Sequence, residues 1–188
     1  ALTVTDSSAS LADLNALNGK TSLDISVLLL DEVTGTPAEL TTLLGGRPVL
    51  SAWPGVPGFV DFHGDERIIL TGVVTAADAN AAAAATNGMV TATIADGDLA
   101  TLVNLAHSGR AYTITLTDTS ATAADLNTLN AKTTIAVDAT SVTALEGSYA
   151  DVASAIFSSG ITMSTTYNVT LTDASVGVFY ANLVDADT

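Results

Sequence analysis

The 188 residues carry 5 Lys and Arg against 20 Asp and Glu, a formal net charge of −15. Such a surface repels phosphate, which excludes nucleic acid and anionic lipid as direct partners and leaves cations as the attracted class. Hydrophobic residues make up 48% of the chain but aromatics only 5%, so the core has to be built from Ala, Val, Leu and Ile in thin layers, with the acidity keeping it in solution.

The chain opens on Ala1 without a basic and apolar leader, which fits a processed chain or a fragment. From Thr3 it reads "TVTDSSASLADLNALNGKT", and from Thr115 "TLTDTSATAADLNTLNAKT", 112 positions later. The register persists beyond this stretch: Gly35, Ala38, Glu39 and Leu40 precede Gly147, Ala150, Asp151 and Val152 by the same 112 positions. Duplication explains such a match, and a repeat sets the fold before any other signal.

Each copy contains smaller units of about 22 residues, within the range of α/β repeats. Alternating Thr and aliphatic residues, as in Thr113, Ile114, Thr115, Leu116 and Thr117, predict a short strand. Asp, Ser and Thr between residues 118 and 122 offer acceptors for the first turn of a helix. Ala123, Leu126 and Leu129 then form an apolar stripe at helical spacing, and Asn130, like Asn18, suits a left-handed helix end. Residues 79–88, "ANAAAAATNG", predict a thin Ala helix that lets layers approach closely.

Strand, helix and strand in one direction imply parallel pairing with right-handed crossovers. The expected architecture is an α/β solenoid of strand–helix coils, one parallel sheet with helices on its other side, each coil depending on its neighbours for a core. Within one repeat domain, residues 1–188, the sequence divides into a first repeat pair (1–45), an insertion (46–67), a second pair (68–111), a third pair (112–166) and a final single coil (167–188). No apolar run approaches the roughly 20 residues of a membrane-spanning helix.

The insertion holds three of the four prolines and the only Trp. Insertions in repeat proteins map to one face, often a binding face. Trp53, Phe59, Phe62 and His63 are therefore the candidate contact surface for carbohydrate or a neighbouring subunit, against the simpler reading that the aromatics cover an open side of the core. His63 with Asp65 and Glu66 also has the donor types of a zinc or manganese site, against the reading of a solvated polar turn.

Two histidines, His63 and His107, are the whole supply of imidazole, and neither a G-x-S-x-G elbow nor a glycine-rich phosphate loop accompanies them. The sequence therefore predicts no enzyme. His107 lies where a helix is expected to end before Gly109. Calcium is the metal the composition allows, with Asp96, Asp98, Asp185 and Asp187 as oxygen ligands, although no EF-hand or calcium β-roll motif is present. The Asp that follows each strand (Asp6, Asp118, Asp173) reads more simply as a cap or turn residue, and its replacement by Gly72 in one copy favours a turn. Asn15 and Asn127 inside the helices suggest a hydrogen-bonded ladder between coils.

The stretch "TLTDTSATAADLNTLNAKTTIAVDATSVTALEGSYADV" resembles repeats in large, acidic, Thr- and Ala-rich surface proteins of marine cyanobacteria and similar bacteria, with related segments in adhesin-like and virion-associated proteins. The resemblance implies a secreted, surface-located structural role. Self-association is expected through Val178, Phe179 and Leu183 of the last coil, making copies of the same chain the main partner. The alternative is an adhesin segment that binds carbohydrate or a receptor with calcium.

Overall fold

The computed structural model describes residues 2–27, 29–45, 60–61, 64–175 and 177. They form an α/β protein of repeating strand–helix units whose strands pair only in parallel. The chain divides into two compact units, Ala1–Thr93 and Ile94–Thr188.

In the first unit each coil contributes two short strands before its helix, where the sequence suggests one. The first coil is β1 (Leu2–Thr3), β2 (Ser8–Ser10) and α1 (Leu11–Asn18). The second is β3 (Ile25–Ser26), β4 (Glu32–Gly35) and α2 (Pro37–Leu44), and the third is β5 (Val60–Asp61), β6 (Arg67–Leu70) and α3 (Ala76–Ala85). A single strand, β7 (Val90–Thr93), ends the unit. Pairing runs β1-β3-β5 in one ladder and β2-β4-β6-β7 in the other. The two ladders are separated by polar turns such as Thr5, Asp6 and Ser7, whose side chains favour a bend over a continued strand.

The second unit contains α4 (Leu99–Leu102), β8 (Ala111–Thr113), β9 (Ser120–Thr122), α5 (Ala123–Asn130), β10 (Val137–Ala139), β11 (Ala144–Gly147), α6 (Tyr149–Ile156), β12 (Ile161–Met163) and β13 (Asn168–Leu171). Here β10 pairs with β12, and β11 lies between β9 and β13. Thr115 forms an isolated parallel bridge to Asp138, so the strand-forming Thr/Ile/Leu run continues past β8.

The duplication is reproduced element by element. Helices α1 and α5, α2 and α6, and strands β2 and β9, β4 and β11 begin 112 positions apart. After α2 the offset changes: β6 begins at Arg67 and β13 at Asn168, 101 positions apart. Strand β5, at Val60–Asp61, pairs with β3 inside the stretch read from sequence as an insertion.

Helix starts are specified locally. Ser10, Thr36, Thr75, Thr122 and Ser148 each have extended backbone and accept the N–H of the residue three positions on, which is Asp or Glu every time. At α2 the box closes in both directions: Thr36 Oγ1 accepts Glu39 N–H, and Glu39 Oε2 accepts Thr36 N–H at 2.7 Å. Helix α2 stops at Gly45, whose φ of 56° is left-handed. Helices α1 and α5 end differently from expectation. Gly19 and Ala131, which follow Asn18 and Asn130, keep right-handed backbone, and the Asn130 amide instead donates to Ser158 Oγ at 3.2 Å.

The predicted stripes face inward. Ala123, Leu126 and Leu129 are buried, as are Leu11 and Leu14, and α3 buries five alanines. Burying each Leu contributes about 1.5–3 kcal/mol. Small residues also set the spacing between coils. A Cβ on Gly35 would lie 2.7 Å from Leu11 Cβ, whereas one on Gly147 would lie 3.1 Å from Ala123 Cβ at the equivalent position.

Candidate functional site

The most repeated chemical arrangement is the contact between one coil and the next. In the second unit Thr117 donates its N–H to Gly97 O, and the neighbouring Asp118 Oδ2 accepts the N–H of Leu99, the first residue of α4, at 2.6 Å. The arrangement recurs farther on: Thr172 donates to Gly147 O, and Asp173 Oδ2 accepts the N–H of Tyr149, the first residue of α6, at 2.6 Å. Helix-opening amides have no partner within their own helix, so a carboxylate there satisfies a donor and complements the positive end of the helix dipole.

The first unit shows why one copy lacks the carboxylate. Thr71 donates to Gly35 O as its counterparts do, but the next residue is Gly72 and the facing helix opens on Pro37. Proline has no N–H to donate, so an acceptor at position 72 would have no function. Gly72 has φ of 82°, consistent with the turn expected from sequence. Asp118 and Asp173 are thus caps, but each caps the helix of the preceding coil rather than its own. An open groove of about 520 Å³ lies here, lined by Thr36, Pro37, Thr71, Gly72, Val73 and Asp78.

The half-buried asparagines join coils in the other direction. Asn15 Nδ2 donates to Glu39 O at 2.8 Å, and Asn127 Nδ2 to Asp151 O at 2.9 Å. Side chain to backbone, rather than Asn to Asn, is the link between α1 and α2 and between α5 and α6.

Asp96 and Asp98 precede α4. Asp98 is its N-cap, with Oδ1 accepting Thr101 N–H at 2.9 Å, while Asp96 is half-buried two residues earlier. Hydrogen bonds from the Thr101 hydroxyl and then from its N–H hold the Asp98 carboxyl below its ordinary 3.8. Asp138 is lowered in the same way by the Thr140 hydroxyl and N–H. Among the described residues no group of three or more His, Cys, Asp or Glu is placed to hold a metal ion. Asp185 and Asp187 lie outside the described residues, as do Trp53, Phe59, Phe62, His63, Val178, Phe179 and Leu183.

Of the remaining candidates, Glu66 is only 1% exposed, and its Oε2 accepts Gly64 N–H at 2.9 Å. His107 is exposed with φ of 60°, in a turn five positions beyond the end of α4, so the helix-end location expected for it is not found. A groove of about 350 Å³ in the second unit is lined by Leu99, Asp118, Thr122, Asp125, Glu146 and Thr170. Two of its carboxylates are engaged in the fold: Asp118 accepts Leu99 N–H, and Asp125 accepts the Thr122 hydroxyl at 2.8 Å.

Sequence reasoning located the recurring Asp and Asn but missed their partners. It also missed the capping residues Ser10, Thr36, Thr75 and Ser148, although the spacing S/T-x-x-D/E before an apolar run recurs five times and was the signal to use. These parts define the class: an α/β repeat protein whose conserved-in-register chemistry holds one coil against another. No protein-family model, curated protein or solved structure matches the chain.

Proposed function

We propose that the protein is a non-enzymatic, extracellular structural repeat protein whose coils wind as an α/β solenoid and which associates with copies of itself, as a filament, surface-layer or virion-surface subunit. The observation that carries this reading is the coil-to-coil interface. Its repeated polar groups are used to stack coils: Asp118 and Asp173 on helix-opening amides, Asn15 and Asn127 on neighbouring carbonyls. Strands β1 and β2, and likewise β12 and β13, have a ladder partner on one side only among the described residues. An unpaired parallel edge is a template for another chain.

The net charge of −15 supports a location in a cation-containing medium, where counterions screen repulsion between copies. In this reading no cofactor is required, and calcium enters as a linker between acidic surfaces. Sedimentation velocity over a concentration series, with calcium and with a chelator, tests the proposal. Species that grow with concentration are expected, and their loss in chelator would assign the carboxylates a linking role. A single monomeric species in both conditions would overturn the proposal.

A further inference from the structure

One row of residues on the sheet face differs chemically between the two copies of the duplication. Within the first unit the row reads Ser8, Glu32 and Arg67, in register across β2, β4 and β6, and Glu32 and Arg67 form an ion pair at 3.2 Å. Within the second the same row reads Ser120, Ala144 and Asn168, across β9, β11 and β13, and all three are exposed. Ala144 has a strand on either side, so this exposure belongs to the face of the sheet and not to an edge. The Asn168 backbone N–H is held by Thr143 O, while its side-chain amide makes no hydrogen bond among the described residues.

Asn168 is also the one asparagine in the chain followed two positions later by Ser or Thr, with Val169 between. Asn-x-Thr with x other than proline is the acceptor pattern for N-glycosylation. Alternation along β13 exposes Asn168 and Thr170 on one face and turns Val169 to the other. Beside them lies the groove of about 350 Å³, lined by Ala144 and Leu145 together with polar Ser120, Glu146 and Thr170.

We infer that Asn168 is the attachment site of an N-linked glycan. The inference rests on the extracellular location proposed above, because the donor is a lipid-linked oligosaccharide met during export. In the transfer a bond forms between Asn168 Nδ2 and the anomeric carbon of the first sugar. The bond from that carbon to the donor's phosphate oxygen breaks, the lipid phosphate leaves with the electron pair, and one amide proton passes to solvent. Transfer to the unfolded chain needs only the sequence pattern. The folded chain must then leave the amide exposed, unengaged and with room beside it, and Asn168 meets all three conditions. The first sugar lies over the small Ala144, its hydroxyls within the groove that carries the Ser120 hydroxyl and the Glu146 carboxylate. A side chain on the sheet face stands across the direction in which coils stack, so the glycan leaves the contacts between coils free.

Mass spectrometry of the protein recovered from the producing cell tests the inference on four chains: wild type, Thr170→Ser, Thr170→Ala and Asn168→Gln. No Lys or Arg follows Lys132, so trypsin leaves residues 133–188 in one peptide. That peptide is expected to carry one added glycan mass in the wild type and Thr170→Ser, and to lose it in Thr170→Ala and Asn168→Gln. Circular dichroism should be unchanged in all variants, because both side chains are exposed. An unmodified wild-type peptide in protein recovered outside the cell, or an added mass that survives Asn168→Gln, would overturn the inference and leave the extracellular reading standing. Recovery from the cell interior alone would overturn both.

Discussion

Asp118 and Asp173 each accept a helix-opening N–H at 2.6 Å from the preceding coil, and this single bond explains a residue that recurs without forming a metal motif. Replacing Asp118 by Ala should destabilise the chain by about 1 kcal/mol, the usual cost of a lost helix cap, as read by urea unfolding. A Gly72→Asp change should give no such bond in return, because Pro37 has no N–H to donate. The titration of Asp98 and Asp138 also belongs to this scale. Both carboxyls are lowered from 3.8 in the folded chain, so their contribution is complete above the unfolded value and disappears as pH falls through the lowered one. Unfolding midpoints should therefore be flat above about pH 5 and fall below about pH 4. The Asp98→Asn/Asp138→Asn double variant should show a shallower fall, and an identical profile would remove these groups from the account. The recurrence of Asp was legible in the sequence. Its partner was not, because the bond spans 19 residues between Leu99 and Asp118, and no local spacing encodes it.

At the scale of elements, helices were readable where apolar period and caps agree, as at α5, whose Ala123, Leu126 and Leu129 are buried. The reading failed at α4. "LATLVNLAHSG" continues to look helical, yet the helix stops at Leu102, and Leu105 is buried from a turn instead. Tertiary burial there outweighs helix propensity. Two strands per coil were also hidden, since runs of two or three residues are too short for a period-two signal. Close packing between elements yields a comparative prediction. Gly35→Ala would press on Leu11 at 2.7 Å and Gly147→Ala on Ala123 at 3.1 Å, so the first should cost about 1–3 kcal/mol and the second less. Equal losses in thermal unfolding would show that the two units do not share one packing rule. Leu126→Ala should cost more than either, about 2–5 kcal/mol, because it leaves a cavity between α5 and its neighbours.

At the scale of the whole chain, the 112-residue duplication was legible because sequence identity in register survives in both copies, and the two units repeat strand and helix starts at that offset. The change of offset to 101 after α2 locates the extra length of the first unit between Leu44 and Val60, where Trp53 and Phe59 lie outside the described residues. Repeat proteins derive stability from nearest-neighbour interfaces, so each unit is stabilised by the units packed on either side of it. Negative-stain electron microscopy of the purified chain, with calcium and with a chelator, tests the account most directly. Filaments, rings or sheets built from repeated end-to-end contacts are the predicted result. Dispersed single particles in both conditions, at concentrations where the chain remains folded, would contradict it.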